Sequence, residues 1–196
     1  EDIGCNPTLD NFKLLRSLYG NLCAICFNRK DHVLFLVRDS LGTNPFFYSF
    51  KNGIIAFSTS IQPLINIGFL DPKVNHKAID QFLSFGYIPT PDTPFESVYQ
   101  VRPGHILTVQ DNQATERPYW RFKYSYEQDR LSGQDAVHAF REAFERAVQR
   151  RLDAHPESGA FLSGGLDTSI VAAVRKKLTG ERFKTFGIGF EEKAYD

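Results

Sequence analysis

The residues best suited to chemistry lie together in one short segment, residues 162–169, whose sequence is LSGGLDTS. Two adjacent glycines let the backbone approach a ligand without a clash from a Cβ atom. Ser163, Thr168 and Ser169 supply three hydroxyl groups that can donate hydrogen bonds. The segment stands where a predicted strand ends and a predicted helix begins, and the unpaired N–H groups of a helix start attract anions. It is therefore predicted to bind phosphate oxygens.

Asp167 is an unusual residue inside a segment that binds anions. A carboxylate beside a phosphate is most simply a ligand of Mg²⁺, because the metal can bridge carboxylate and phosphate oxygens. We therefore predict a Mg²⁺ site at Asp167. The segment is neither GxxxxGK[ST], since no lysine follows its glycines, nor GxGxxG. The alternative interpretation is a plain turn, in which Asp167, Thr168 and Ser169 only cap the helix.

The elements around this segment predict a parallel α/β unit. A strand is predicted over 159–162, a helix over 167–178 and a second strand over 183–188. This order forms a βαβ unit, whose two strands lie parallel. Residues 135–152 carry apolar side chains every three or four positions, which predicts a long amphipathic helix, and Ser132 resembles its cap.

The first part of the chain has the pattern of antiparallel β-structure, with short apolar runs between turn residues. Asn52-Gly53 is a strong hairpin signal, because both residues tolerate a positive φ. Arg38-Asp39, at the end of a predicted strand, is interpreted as a structural ion pair. The predicted elements are strands at 22–27, 33–37, 46–50, 54–57, 106–109 and 117–122, a helix at 76–85 and a proline-rich loop at 86–94.

The composition excludes several classes of protein. The 196 residues contain 23 Lys and Arg against 23 Asp and Glu, and a balanced charge argues against binding nucleic acid or an anionic membrane. No apolar run approaches the roughly 20 residues of a membrane-spanning helix. Three cysteines without further ligands at metal spacing exclude a zinc site and a disulfide framework, and unpaired thiols suit the cytoplasm. The chain begins at Glu1 and ends at Asp196, and we interpret both ends as cuts in a longer protein.

Several motifs resemble those of the glutamine-hydrolysing asparagine synthetases, in the same order as in that family. SGGLDTS resembles the SGGxD[ST]S signature of the PP-loop ATP pyrophosphatases. RDSLG at 38–42, with Pro45 and Tyr48, resembles the family's RDxLGxxPxYY segment. The remaining matches are AFSTSI at 56–61, GYIP at 86–89, TPF at 93–95, PGH at 103–105 and TFGIGFEE at 185–192 with Tyr195-Asp196.

The resemblance implies two partial domains. Residues 1–128 would form the later part of a glutaminase domain of the N-terminal-nucleophile (Ntn) hydrolase type, an αββα sandwich with antiparallel sheets. Residues 129–196 would form the opening βαβ unit of the synthetase domain, with the parallel sheet of a PP-loop protein. The expected fold class is therefore α+β followed by α/β.

The resemblance also implies a ligase that forms a carbon–nitrogen bond. In the family, ATP with Mg²⁺ adenylates aspartate to β-aspartyl-AMP and releases pyrophosphate, and ammonia from glutamine then displaces AMP to give asparagine. The expected partners are these small molecules, without nucleic acid or membrane, and a homodimer is compatible with the resemblance. The expected location is the cytoplasm, and the 196 residues alone are expected to be inactive.

The family's motif carries its site residues onto this chain. Leu162 and Ile188 would border the adenine, with core packing as the alternative, and Asp167 would bind Mg²⁺. No catalytic residue is expected within this chain, because the glutaminase cysteine would lie upstream. Cys5 is interpreted as non-catalytic, since the nucleophile of this class must carry a free α-amino group. The expected ATP and pyrophosphate ligands are Leu162, Ser163, Gly164, Gly165, Asp167, Thr168, Ser169 and Ile188.

Two residues depart from the family pattern. Thr59 replaces the usual Glu, which bears on the domain interface and ammonia transfer, and Thr168 replaces the commoner Ser but keeps its hydroxyl. These departures leave a second hypothesis open, a β-lactam synthetase-like or lasso-peptide cyclase-like ligase with a degenerate glutaminase domain. A third is a nucleotide-binding module without turnover. The two ligase hypotheses differ in the acceptor acid and in the nitrogen source.

Overall fold

The computed structural model describes residues 21–70, 72–124 and 131–190. These residues divide into two compact units, one up to Lys123 and one from Tyr124. The predictions for Cys5 and for residues 191–196 lie outside the described residues. Among the described helices, none combines the length and the apolar character that crossing a membrane would require.

Four strands of the first unit form one antiparallel sheet. They are β1 (Cys23–Asn28), β2 (Val33–Arg38), β6 (His105–Gln110) and β7 (Gln113–Pro118), in the order β1-β2-β6-β7. The sequence of β2, VLFLVR, is almost continuously apolar because the sheet buries both of its faces. Val33, Phe35 and Val37 pack in one apolar cluster with Ile106 and Tyr119. Leu36 alternates to the other face and packs with Phe46, Val101 and Leu107.

A second antiparallel sheet has the order β4-β3-β5, where β3 is Phe47–Lys51, β4 is Ile54–Ser58 and β5 is Tyr99–Gln100. Asn52 and Gly53 join β3 to β4 with φ angles of 51° and 76°, which confirms the predicted hairpin. Leu64, on the short helix α1 (Ile61–Asn66), packs with Leu70, Val98 and partly buried residues of this sheet. Two antiparallel sheets in a mixed α/β unit fit a glutaminase domain of the Ntn type.

Helix α2 spans His76–Phe85, as predicted. Asn75 caps it by accepting a hydrogen bond from the amide of Ala78, and Gly86 ends it in the left-handed conformation. The proline-rich loop that follows is attached to this helix by Asp92. Lys77 Nζ lies 2.8 Å from the Asp92 carboxylate, and Gln81 Nε2 donates to it at 3.2 Å.

One predicted strand of the first unit is wrong in its position. Residues 117–122 are predicted as the second strand of a hairpin, but β7 ends at Pro118. Asp111 and Asn112 form the turn with φ angles of 48° and 60°, so the strand starts directly at Gln113. Its sequence, QATERP, is mostly polar and lacks the apolar pattern on which the prediction rested.

The described residues of the second unit form two helices and two short strands. They are α3 (Gly133–Ala154), β8 (Ala160–Phe161), α4 (Leu166–Thr179) and β9 (Thr185–Phe186). Ser132 caps α3 by accepting a hydrogen bond from the amide of Asp135. β8 and β9 pair in parallel with α4 between them, and α3 packs against α4. Both strands are shorter than the predicted 159–162 and 183–188, because only two residue pairs, Ala160 with Thr185 and Phe161 with Phe186, are joined in the parallel ladder.

Candidate functional site

Residues 162–165 form a bend, hereafter the 162–165 bend, that leads from the end of β8 to the start of α4. Gly164 has a φ of 79°, a left-handed conformation that side chains other than glycine rarely adopt. A Cβ atom added at Gly164 would have no neighbour within 4 Å. The residues from Phe161 to Asp167 are exposed. The bend is therefore open to a ligand, and its backbone conformation strongly favours glycine at position 164.

The amino-terminal end of α4 differs from those of α2 and α3. Asn75 and Ser132 cap α2 and α3 with their side chains, whereas Gly165 stands at the cap position of α4 and offers none. Ser60, before the short helix α1, makes no side-chain cap hydrogen bond either. The first backbone bond of α4 runs from the amide of Ser169 to the carbonyl oxygen of Gly165, at 3.1 Å. The amides of the first helical turn thus keep their hydrogen-bonding capacity for an anion.

Thr168 links the two ends of the bend through its hydroxyl group. Its Oγ1 donates to the carbonyl oxygen of Gly165 at 3.2 Å and accepts from the amide of Ser163 at 3.3 Å. The Ser163 hydroxyl lies 3.1 Å from the same oxygen. The bend is consequently held in shape by the chain itself.

Asp167 lies in the first turn of α4, where a negative charge interacts favourably with the helix dipole. Within the ranges that the structure describes, no group of three or more His, Cys, Asp and Glu could hold a metal ion. A site with a single carboxylate would suit Mg²⁺, because proteins commonly hold this ion by one or two carboxylates together with phosphate oxygens and water. The exposed carboxylate of Asp167 beside open amides fits that arrangement.

Leu162 and Ile188 both follow the carboxyl ends of the two parallel strands, β8 and β9. The amide of Leu162 donates to the carbonyl oxygen of Phe186 at 2.8 Å, and Ile188 lies two residues further along. The carboxyl ends of parallel strands are the usual location of ligands in such sheets. Leu162 is 38% exposed and Ile188 is 82% exposed, so neither is packed in the core of the described residues.

Arg38 and Asp39 do not form the predicted ion pair with each other. The guanidinium of Arg38 donates to the carbonyl oxygens of Asn44, Val101 and Gly42, at 2.8, 2.7 and 2.9 Å. Burial lowers the pKa of this guanidinium from its usual value. The Asp39 carboxylate instead accepts from the amides of Leu41 and Thr43. Both residues are structural, because they satisfy the backbone of the loop after β2.

Sequence reasoning missed Arg175, a buried residue of α4 that is 8% exposed. Its guanidinium donates to Ser158 Oγ at 3.0 Å and to the carbonyl oxygen of Pro156 at 3.2 Å, and also to the carbonyl oxygen of Ser158. These bonds tie the middle of α4 to the segment that enters β8. Arg175 is followed directly by two exposed lysines before Leu178, so the sequence carries no local signal that distinguishes the buried cation.

Two families match the chain, one in each part. Residues 12–120, more than half of the chain, match the family described as glutamine amidotransferase domain. Residues 139–196 match the family described as asparagine synthase.

Named relatives match most of this chain. Asparagine synthetase (glutamine-hydrolyzing) 1 of Bacillus subtilis (strain 168) is 30% identical over 179 residues, which cover 91% of this chain and 28% of the relative. Putative asparagine synthetase (glutamine-hydrolyzing) 2 of Methanocaldococcus jannaschii is 28% identical and covers 91% of this chain, which spans 35% of that relative. Amidase chry2 of Gibberella zeae is 30% identical over 80% of this chain and 23% of the amidase.

The chain therefore spans about a third or less of the length of these relatives. The two family matches follow each other along the chain as glutamine amidotransferase and then asparagine synthase. On these matches, the chain belongs to the family of glutamine amidotransferases of the asparagine synthetase type.

Proposed function

We propose that this chain is part of an ATP-dependent ligase that makes asparagine from aspartate, with glutamine or ammonia as the nitrogen source. In the proposed reaction, the side-chain carboxylate of aspartate attacks the α-phosphorus of ATP, and pyrophosphate leaves. Ammonia then attacks the acyl carbon of β-aspartyl-AMP, AMP leaves, and asparagine is formed. The 196 residues alone are proposed to be inactive, because they span only 28% of the Bacillus synthetase.

One observation carries the proposal: α4 starts without a side-chain cap, directly behind an exposed bend of sequence LSGG. Pyrophosphate is a leaving group with several negative charges. Amides fixed in one direction stabilise such charge in the transition state without having to reorganise. The match of residues 139–196 to the asparagine synthase family supports the same assignment.

The residues of the proposed site divide by what they offer. The amides of the first turn of α4 and the hydroxyl of Ser169 would bind pyrophosphate oxygens, and Leu162 and Ile188 would border the adenine. Asp167 would hold Mg²⁺, which neutralises phosphate charge when it is bound. The site is formed by Leu162, Ser163, Gly164, Gly165, Asp167, Thr168, Ser169 and Ile188.

We propose the same assignment for the two units. Residues 1–128 would belong to a glutaminase domain of the αββα Ntn type, and residues 129–196 would open a PP-loop synthetase domain. The parallel pairing of β8 and β9 around α4 supports the second assignment. The proposed substrates are small molecules, in a cytoplasmic enzyme with a homodimer as its proposed assembly.

A second candidate is a ligase of the same scaffold with another acceptor, such as a β-lactam synthetase-like or lasso-peptide cyclase-like enzyme. One observation keeps it open: the identity to a protein named as an amidase, 30% over 161 residues, equals the 30% identity to the Bacillus synthetase over 179 residues, so identity alone does not select the acceptor. Both candidates would adenylate an acid with ATP, and both would bind the phosphates of ATP at the 162–165 bend. They differ in the acid that is activated and in the amine that attacks it.

The test is pyrophosphate release by the full-length protein that contains this chain, supplied with ATP, Mg²⁺ and one carboxylic acid at a time. The proposal predicts release with aspartate and, when glutamine or ammonia is added, asparagine detected by mass spectrometry. Release with other acids but not with aspartate would support the second candidate. No ATP-dependent release with any acid would overturn both.

A further inference from the structure

The hydroxyl of Thr168 has no hydrogen-bonding capacity left for a ligand. A hydroxyl group has one proton to donate and two lone pairs that accept. The proton of Thr168 is directed to the carbonyl oxygen of Gly165, at 3.2 Å. The amide of Ser163 occupies one lone pair, at 3.3 Å, and the Ser163 hydroxyl, 3.1 Å away, is placed to donate to the other.

The adjacent hydroxyl of Ser169 is in a different situation. Among the described residues, no hydrogen bond joins the side chain of Ser169 to another group. Ser169 and Thr168 are neighbours in the first turns of α4, so they form a matched pair, one hydroxyl open and one fully used.

Threonine is well suited to the closed arrangement. Its Cβ carries two heavy atoms, which restricts χ1, and in helices its Oγ1 commonly bonds the carbonyl oxygen three or four residues earlier. Gly165 is three residues before Thr168. Serine offers the same hydroxyl group, so the hydrogen bonds that close the bend depend on the hydroxyl of Thr168 and not on its methyl group.

We infer that Thr168 is a positioning residue that holds the 162–165 bend closed before a nucleotide binds, and that it does not itself donate to phosphate. This inference rests on the proposed function of the bend as the pyrophosphate site. Pyrophosphate would then be bound by the open amides of α4 and the hydroxyl of Ser169. Thr168 fixes the positions of Ser163 and Gly165 before the nucleotide binds.

The first experiment measures hydrogen exchange of the Ser163 amide in the full-length protein without nucleotide. Thr168→Val keeps the shape of the side chain and removes the hydroxyl, so the amide should exchange about three- to tenfold faster, as expected for loss of one hydrogen bond. Thr168→Ser and Ser169→Ala should leave its exchange close to that of the parent protein. Unchanged exchange in Thr168→Val would overturn the inference.

The second experiment measures steady-state pyrophosphate release by the same proteins. Loss of a preformed bend weakens ground state and transition state alike, so Thr168→Val should raise the KM for ATP about three- to tenfold and change kcat less than twofold. Thr168→Ser should restore the parent KM. A lower kcat with an unchanged KM in Thr168→Val would mean direct contact with the reacting phosphates and would overturn the inference.

Folding and the proposed function are controlled separately. Exchange in peptides of α3 shows whether each variant is folded. Ser163→Ala removes the hydroxyl of residue 163 but keeps its amide, which can still donate to Thr168. This variant should therefore retain the protection of that amide. Faster exchange at that amide in Ser163→Ala would also count against the inference. If the parent protein releases no pyrophosphate with any acid, the proposed function fails, while the exchange measurements still decide the role of Thr168.

Discussion

Arg175 lies over the ring of Phe183, with its guanidinium carbon 4.4 Å from the ring centroid. The same guanidinium donates to Ser158 Oγ and to the carbonyl oxygen of Pro156. Arg175 thus contacts the segment that enters β8 and the segment that enters β9. Since the 162–165 bend joins β8 to α4, this contact ties the helix on one side of the bend to the chain that enters the strand on its other side.

Replacing Arg175 should loosen the second unit. Arg175→Met keeps the apolar stem but leaves the carbonyl oxygens of Pro156 and Ser158 without their charged donor, and hydrogen bonds from charged groups contribute about 1.5–3 kcal/mol each. We expect the free energy of local opening to fall by about 2–4 kcal/mol, measured by hydrogen exchange in peptides of 156–186. Arg182→Met, at an exposed position, is the control and should change little. Equal protection in both variants would contradict the role given to Arg175.

Substitution of Gly164 should affect the bend through its backbone alone. A left-handed φ costs an L-residue about 1 kcal/mol or more, and a Cβ there meets no neighbour. Gly164→Ala should therefore raise the KM for ATP in pyrophosphate release about fivefold, and Gly164→Asn less, because asparagine tolerates this conformation. Gly133→Ala is the control outside the bend, since a Cβ there also meets no neighbour and Gly133 is not among the glycines with a positive φ. An effect of Gly133→Ala as large as that of Gly164→Ala would contradict this explanation.

Asp167→Asn should weaken the proposed Mg²⁺ site. Loss of the carboxylate removes a charged ligand, and we expect pyrophosphate release to fall about 100-fold or more, with a higher Mg²⁺ concentration needed for half-maximal rate. Rates measured across a Mg²⁺ titration check this expectation. Asp80→Asn, an exposed position on α2, is the charge-matched control. An unchanged Mg²⁺ dependence in Asp167→Asn would remove this residue from the metal site.

Acid should weaken the attachment of the proline-rich loop to α2. Hydrogen bonding to Lys77 holds the pKa of the Asp92 carboxyl below its usual value. A carboxyl with a lower pKa in the folded state stabilises that state above its unfolded pKa of about 4, and the contribution is lost as pH falls through the folded pKa.

Asp92→Asn should therefore lower the free energy of local opening in peptides of 86–94 by about 1 kcal/mol or less at neutral pH, and by less near pH 3. Hydrogen exchange at the two pH values measures the difference. Glu96→Gln, an exposed position near the same loop, should show no such pH dependence. A constant difference between Asp92→Asn and the parent at both pH values would contradict the ion pair.

Local sequence signals predicted the elements whose causes are local. Helix α2 has its cap, its apolar spacing and its terminating Gly86 within a dozen residues, so its bounds could be predicted from the sequence. The Asn52-Gly53 hairpin depends on two residues that accept a positive φ. The polar strand β7 lacks such a signal, because its place is set by pairing with β6.

Long-range contacts explain what could not be predicted. The sequence neighbours Arg38 and Asp39 suggested an ion pair, but the Arg38 guanidinium reaches the carbonyl oxygen of Val101, 63 residues away. The partners of Arg175 are 17 and 19 residues away, which helical spacing does not reveal. The motif at 162–169 identified a candidate site, whereas the internal bonding of Thr168 is visible only in three dimensions.

The absence of a cap on α4 has an energetic consequence for catalysis. A serine or aspartate at that position would strengthen the helix by about 0.3 kcal/mol, and α4 forgoes this gain by having Gly165 there. An incoming diphosphate would take over the missing role and firm up the helix as it docks. The first turn of α4 would then be more ordered when the phosphates are bound and less ordered when the site is empty. Departure of the product would therefore loosen the turn that had bound it.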